Sequence, residues 1–316
     1  MLPTYHRYAM RTIAQCLRNR FLAPPQKDIG FPIEHLVPTA DSAHMVSNWT
    51  PLTPLRRSAG LRGSVYLAGA VLVVQGIGGL LERASITDPA VVQWTLLAVG
   101  TAWTYELLRL EGRPLSALPY EQRRAQALGG IVLGAGAFLA VAAVTGAQGW
   151  LRTAGWGWSH IHPATVVRSM GVLALTHAAY AWNEELVFRG YGYDVMRTAI
   201  GPIAAACLLT MLFALYHPWR AQVLFGEGAI GLALLALRIK SGDIWLPMGY
   251  HWAWNVIQTA LLGPVDGPPS LLPLIVTGPY EWIGRPGYPE PGLLMAGVNL
   301  LVATVTTLSW WREQHG

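Results

Sequence analysis

Runs of about twenty apolar residues, separated by short polar or Pro/Gly-containing stretches, recur along the chain from Gly63 onward. A helix needs about 20 such residues to cross a bilayer core of roughly 30 Å. The pattern predicts eight spans, beginning near Ser64, Ala90, Ala125, Val166, Ala204, Ala221, Ile244 and Gly292. Residues 1–62 read differently, alternating polar, Pro and basic positions with no apolar run long enough for a span or a secretory signal. The expected fold is therefore all-α and polytopic. A partly ordered cytosolic arm over residues 1–62 precedes a single membrane domain over 63–316.

Composition agrees with this pattern. Of 316 residues, 53% are hydrophobic and 12% charged, and the mean hydropathy is +0.35, well outside the balance of a soluble domain. The net charge of +5 does not point to nucleic acid, because the basic residues lie between apolar runs rather than on one soluble face. They do orient the chain. Cytoplasmic loops collect Lys and Arg, and here Arg109, Arg113, Arg123 and Arg124 follow the second span while Arg238 and Lys240 follow the sixth. With the basic arm, this places both termini in the cytoplasm. Lys27 and Lys240 are the only lysines against many arginines, a composition suggestive of a bacterial chain and hence of a cytoplasmic membrane. Cys16 and Cys207 are far apart and match no disulfide or zinc spacing.

The polar residues of the membrane domain are expected to concentrate in the fourth, fifth and seventh spans. The fourth ends Trp182-Asn-Glu-Glu-Leu-Val-Phe-Arg-Gly190. Charges at this depth are costly and need partners. Glu185 and Arg189 stand four apart with the acid N-terminal, the favourable order for a helical ion pair. Glu184 lies about 100° round the helix and is left to face a cavity, although all three could instead form a structural ion cluster. The fifth span carries Phe213 and His217, with Pro218 breaking the helix immediately after. In the seventh, His251 and Asn255 share one face. A free carboxylate, two imidazoles and an amide can hold and deprotonate water and can donate to the oxyanion of an attacked amide. No His-Glu-x-x-His occurs. A metal such as zinc stays open, with His217 and His251 as possible ligands, though the leading reading requires no cofactor.

Glu184-Glu185 with Arg189, Phe213 with His217, and His251 with Asn255, in this order, resemble the motifs of the CPBP family of intramembrane proteases. That family includes CAAX-processing endopeptidases such as Ras-converting enzyme and the bacterial Abi or bacteriocin-processing proteins. The resemblance covers residues 166–262, within an expected protease core of about 163–262, and implies an active site among helices four, five and seven. It implies that Glu184 activates water, that His217 positions it, and that His251 and Asn255 stabilise the oxyanion. It implies structural roles for Glu185, Arg189 and Phe213. The expected substrate is a membrane-tethered polypeptide, and the lipid bilayer is the other partner. The competing readings are a noncatalytic immunity or scaffold protein of the same fold, and a transporter using a Glu/His relay.

The depth of the motifs sets a condition. At 1.5 Å per residue His251 lies some 10 Å into its span, whereas His217 comes late in a span running outward. The two meet only if the fifth helix is short or kinked, with 191–203 at the interface and a break at Pro218. His177, two turns before Glu184, reads as a contact to a neighbouring helix. Gly130 and Gly134 read as close packing within the bundle, and residues 271–276 as an ordinary folded loop too short to span.

Overall fold

The protein is described by a computed structural model over residues 58–113, 123–153, 162–217, 220–263, 274–285 and 288–315. The expected arm lies almost wholly outside these residues. Helix α1 (Ala59–Arg83) starts at Ala59, where Ser58 Oγ accepts from the Leu61 N–H at 3.1 Å. Then come α2 (Pro89–Leu110), α3 (Arg123–Ala147), strand β1 (Leu151–Thr153), α4 (Pro163–Phe188), α5 (Tyr191–Ile200) and α6 (Pro202–Tyr216). The chain continues through α7 (Ala221–Ser241), α8 (Trp245–Leu262), β2 (Leu274–Val276), α9 (Tyr280–Ile283) and α10 (Leu293–His315). Local chemistry marks several starts. Asp88 accepts from the N–H groups of Ala90 and Val91 ahead of α2, with Pro89 at the first helical position, where a missing N–H costs nothing.

The fold is mostly helical, and a helix lies at each of the eight predicted positions. Among the described residues, four of these, α1, α3, α7 and α10, are long and apolar enough to cross a membrane. α6 is the short one, with 15 residues giving a length of about 22 Å. The segment before it forms the separate helix α5, so the fifth predicted span begins at Pro202 and stops at Tyr216, as the depth condition required.

Glycine decides the tightest packing. A Cβ on Gly130 would lie 2.1 Å from the Leu246 carbonyl oxygen, and one on Gly134 2.3 Å from that of Tyr250. Gly249 answers from α8, where a Cβ would meet the Ala127 oxygen at 2.3 Å. The small residues of α3 thus bring its backbone against that of α8, and α8 carries His251. Elsewhere α10 packs on α7, α6 on α7 and α2 on α4. β1 and β2 pair antiparallel, Arg152 opposite Ile275, so the described part of the 271–276 segment is a short strand in a folded loop.

Candidate active site

α4 ends at Phe188, and Arg189 caps it. Glu185 and Arg189 form the ion pair their spacing predicts, Nη1 to Oε1 at 3.1 Å, with both side chains almost fully buried. The guanidinium also donates to the Gly231 carbonyl at 3.3 Å and lies 4.2 Å from the centre of the Phe213 ring. From α7, Arg238 Nε donates to the Arg189 carbonyl at 2.8 Å while its Nη2 reaches Asp194 at 3.0 Å. A buried cation there satisfies the helix C-terminus. The turn into α5 is tight: a Cβ on Gly192 would lie 1.8 Å from the Val187 oxygen, so only glycine fits.

His251 comes to this helix end from α8. Its Nδ1 stands 2.9 Å from Glu185 Oε1. A carboxylate already paired with arginine can only accept, so Nδ1 carries the hydrogen. Nε2 is thereby turned to Glu184, whose Oε2 lies 3.7 Å away. Glu184 is buried, and its Oε1 has no hydrogen-bond partner among the described residues. Glu185 thus meets both Arg189 and His251 Nδ1, while Glu184, which its spacing left to face a cavity, lies toward His251 Nε2. Asn255, one turn beyond His251, is half-buried and makes no side-chain hydrogen bond among the described residues.

His217 is reached by the end of α6. Its backbone is extended (φ −91°, ψ 172°), and its Nδ1 stands 2.9 Å from the Phe213 carbonyl, one of the acceptors a helix end leaves open. Nδ1 therefore holds a hydrogen here as well, and Nε2 points to Glu227 Oε2 at 3.5 Å. The Phe213 ring stands between the two histidines, with ring centres 5.0 Å from His217 and 6.5 Å from His251. All three motifs therefore surround one phenylalanine. The carboxyl that faces His217 Nε2 is that of Glu227, whereas Glu184 faces His251 Nε2.

Glu227 corrects the expectation that polar residues gather in three spans. It is buried on α7, in the sixth apolar run, and accepts from the Tyr288 hydroxyl at 2.6 Å. The available signal was its ionisable side chain inside an apolar run, which by itself marks a functional candidate. Nothing in the spacing links it to His217. Glu290, in the loop before α10, is also buried. Burial first, and then the charge of Glu227, hold its carboxyl well above the usual carboxylate range. His177 meets Thr259 Oγ1 on α8 at 3.0 Å, the helix-to-helix contact expected of it.

Among the described residues no three His, Cys, Asp or Glu side chains converge as a metal-ligand set. His217 and His251 each commit one ring nitrogen to a protein acceptor, and no residue is assigned to a metal.

Residues 166–257 match the family model described as type II CAAX prenyl endopeptidase Rce1-like. The matched stretch, under a third of the chain, contains every motif residue from Glu184 to Asn255. No curated protein and no solved structure matches the chain. With its long apolar helices, the match supports an integral membrane protein whose residues 166–257 are similar to CPBP-family membrane proteases of the Rce1-like type.

Proposed function

We propose that the chain is an intramembrane endopeptidase in which Glu184 activates the water that attacks a peptide bond. The observation that carries this reading is the buried pair of Glu184 and His251, backed by Glu185 and Arg189. Arg189 pairs with Glu185, and Glu185 fixes the His251 tautomer, so that Nε2 is an acceptor facing Glu184. A water at ordinary hydrogen-bond distance, about 2.8 Å, from both Glu184 and His251 Nε2 donates one hydrogen to each. Its oxygen lone pair is then directed away from the pair, toward a substrate carbonyl.

Chemistry follows from that arrangement. Glu184 takes a proton as the water oxygen bonds to the carbonyl carbon, and the negative charge moves to the carbonyl oxygen. The Asn255 amide, free of other side-chain hydrogen bonds among the described residues, donates to that oxygen. Glu184 then passes its proton to the amide nitrogen, the C–N bond breaks, and a carboxylate and an amine leave. His217 assists from the other side of Phe213, positioning the water.

In this reading the helices at the eight predicted positions all cross or enter the bilayer, with both termini cytoplasmic and the membrane that of a bacterial cell. α6 is too short to traverse a core of about 30 Å, which leaves His217 within the membrane's depth. The substrate is a membrane-tethered polypeptide. Prenylated C-terminal peptides, the kind named in the description of the matched family, are one example.

The test uses full-length protein in vesicles, supplied with membrane-tethered peptides in oxygen-18 water. Cleavage should place one label in each new carboxylate, and Glu184→Gln should accumulate uncut substrate that proteomics can identify. Cleavage retained in folded Glu184→Gln overturns the mechanism. Binding without cleavage in both proteins favours a scaffold.

A further inference from the structure

The loop that closes before α10 reaches into the site from outside the matched core. Gly284 sits at φ +69°, and Arg285 and Tyr288 exchange backbone hydrogen bonds at 2.9 and 3.0 Å. The loop then returns so closely that a Cβ on Gly292 would lie 2.7 Å from the Trp282 oxygen. It is also seated on α7. A Cβ on Gly226 would stand 1.9 Å from the Glu290 carbonyl oxygen, so glycine alone permits this backbone contact, one residue from Glu227.

We propose that Tyr288 and the residues 288–292 that seat it on α7 are a positioning element for His217, acting through a chain from the Tyr288 hydroxyl to Glu227 and from Glu227 to the imidazole. The proposal rests on the proteolytic reading for its consequence, though not for its geometry. Each link has a defined partner. The Tyr288 hydroxyl donates to Glu227 Oε1 at 2.6 Å, the length of a charge-assisted bond. Glu227 Oε2 faces His217 Nε2 at 3.5 Å, and the Phe213 carbonyl holds Nδ1 at 2.9 Å. Nδ1 is thus held by the ring's own helix, while Nε2 meets the carboxyl that the loop positions through α7, a contact that becomes a hydrogen bond when Glu227 or Nε2 carries a proton.

A buried carboxylate in an apolar helix is costly unless it is paired. Glu227 spends one oxygen on the tyrosine and turns the other to a motif histidine. A misplacement of about 1 Å in such a group costs about 100-fold in rate, so a clamp on this ring acts on turnover more than on binding. Tyr288 and Glu227 are positioning residues, since neither is placed in contact with substrate.

The experiment compares wild type, Tyr288→Phe and Glu227→Gln, as full-length protein in lipid nanodiscs. Histidine is labelled with nitrogen-15 in its ring, and the His217 signal is identified by its loss in His217→Asn. Both variants should move the His217 Nε2 resonance and leave that of His251 in place. On a lipidated fluorogenic peptide cut by wild type, kcat should fall roughly 10- to 100-fold, with KM changed less than about 2-fold. An unmoved His217 resonance in folded Tyr288→Phe overturns the proposal, as does a moved resonance with wild-type kcat. Tyr288→Phe removes a single oxygen atom outside α7, so the test survives a Glu227→Gln that fails to fold. If wild type cuts nothing while the resonance moves, the clamp stands and the proteolytic reading fails.

Discussion

The two histidines of the site are held in opposite ways. His251 meets an acid pole in which Glu184, Glu185 and Arg189 all come from one helix end. His217 meets a pole assembled from three segments, with Phe213 of its own helix, Glu227 of α7 and Tyr288 of the outer loop. At the first pole charge is balanced over a single helical turn, and only the imidazole has to be delivered. At the second, every partner except the local carbonyl depends on long-range packing. A charge balanced inside one helix survives small displacements of its neighbours. A histidine held by a loop inherits whatever moves the loop.

The sharpest way to break this contrast is to separate the two glutamates. Glu184→Gln should lower cleavage by about 10³-fold, within the range for loss of a general base, and leave the unfolding temperature nearly unchanged. Glu185→Gln should lower both, because it leaves Arg189 buried without its counter-charge. Equal behaviour in rate and melting assays would remove the division of roles. Next in size, Arg189→Met should cost about 3–5 kcal/mol of stability, as expected for a broken buried pair. Arg189→Lys should recover little of this in denaturation, because an ammonium does not reproduce the fork that binds Glu185 and the Gly231 carbonyl while stacking on Phe213.

A third variant tests whether the poles are mechanically independent. In Gly134→Ala the added methyl meets the Tyr250 carbonyl one residue before His251. Overpacking of about 1–3 kcal/mol should move the His251 ring resonance and slow cleavage while the His217 resonance stays in place. Movement of both resonances would show that the poles shift as one body. The smallest effect is expected from Thr259→Val, which removes the partner of His177. Polar contacts between membrane helices are worth about 0.6 kcal/mol on average, so melting should change slightly and kcat not at all. A loss of kcat would bring His177 into the chemistry.

Much of the acid pole was legible because its geometry is local. Four residues of spacing join Glu185 to Arg189, and one residue of offset releases Glu184, wherever the helix is placed. The end of α6 at Tyr216 was legible from Pro218, and Gly130 and Gly134 announced a close helix contact. The Glu227 and Tyr288 pair was not, since 61 positions separate them and no periodicity spans such a distance. Nor was the pairing of β1 with β2, two three-residue strands too short to leave an alternating pattern. The sequence set 191–203 apart from the fifth span without showing that Tyr191–Ile200 forms a helix of its own.

By itself, then, the amino-acid sequence determined where helices form, where one must stop, and which carboxylate is committed to an arginine. These follow from backbone sterics, apolar length and spacing within a few turns. Only the tertiary structure decided which carboxylate each histidine faces, and that a loop beyond the motifs reaches Glu227. Those choices depend on how α3 approaches α8 and how the loop before α10 approaches α7. That approach is set by missing side chains at Gly130, Gly134, Gly226 and Gly249, whose partners lie far away along the chain.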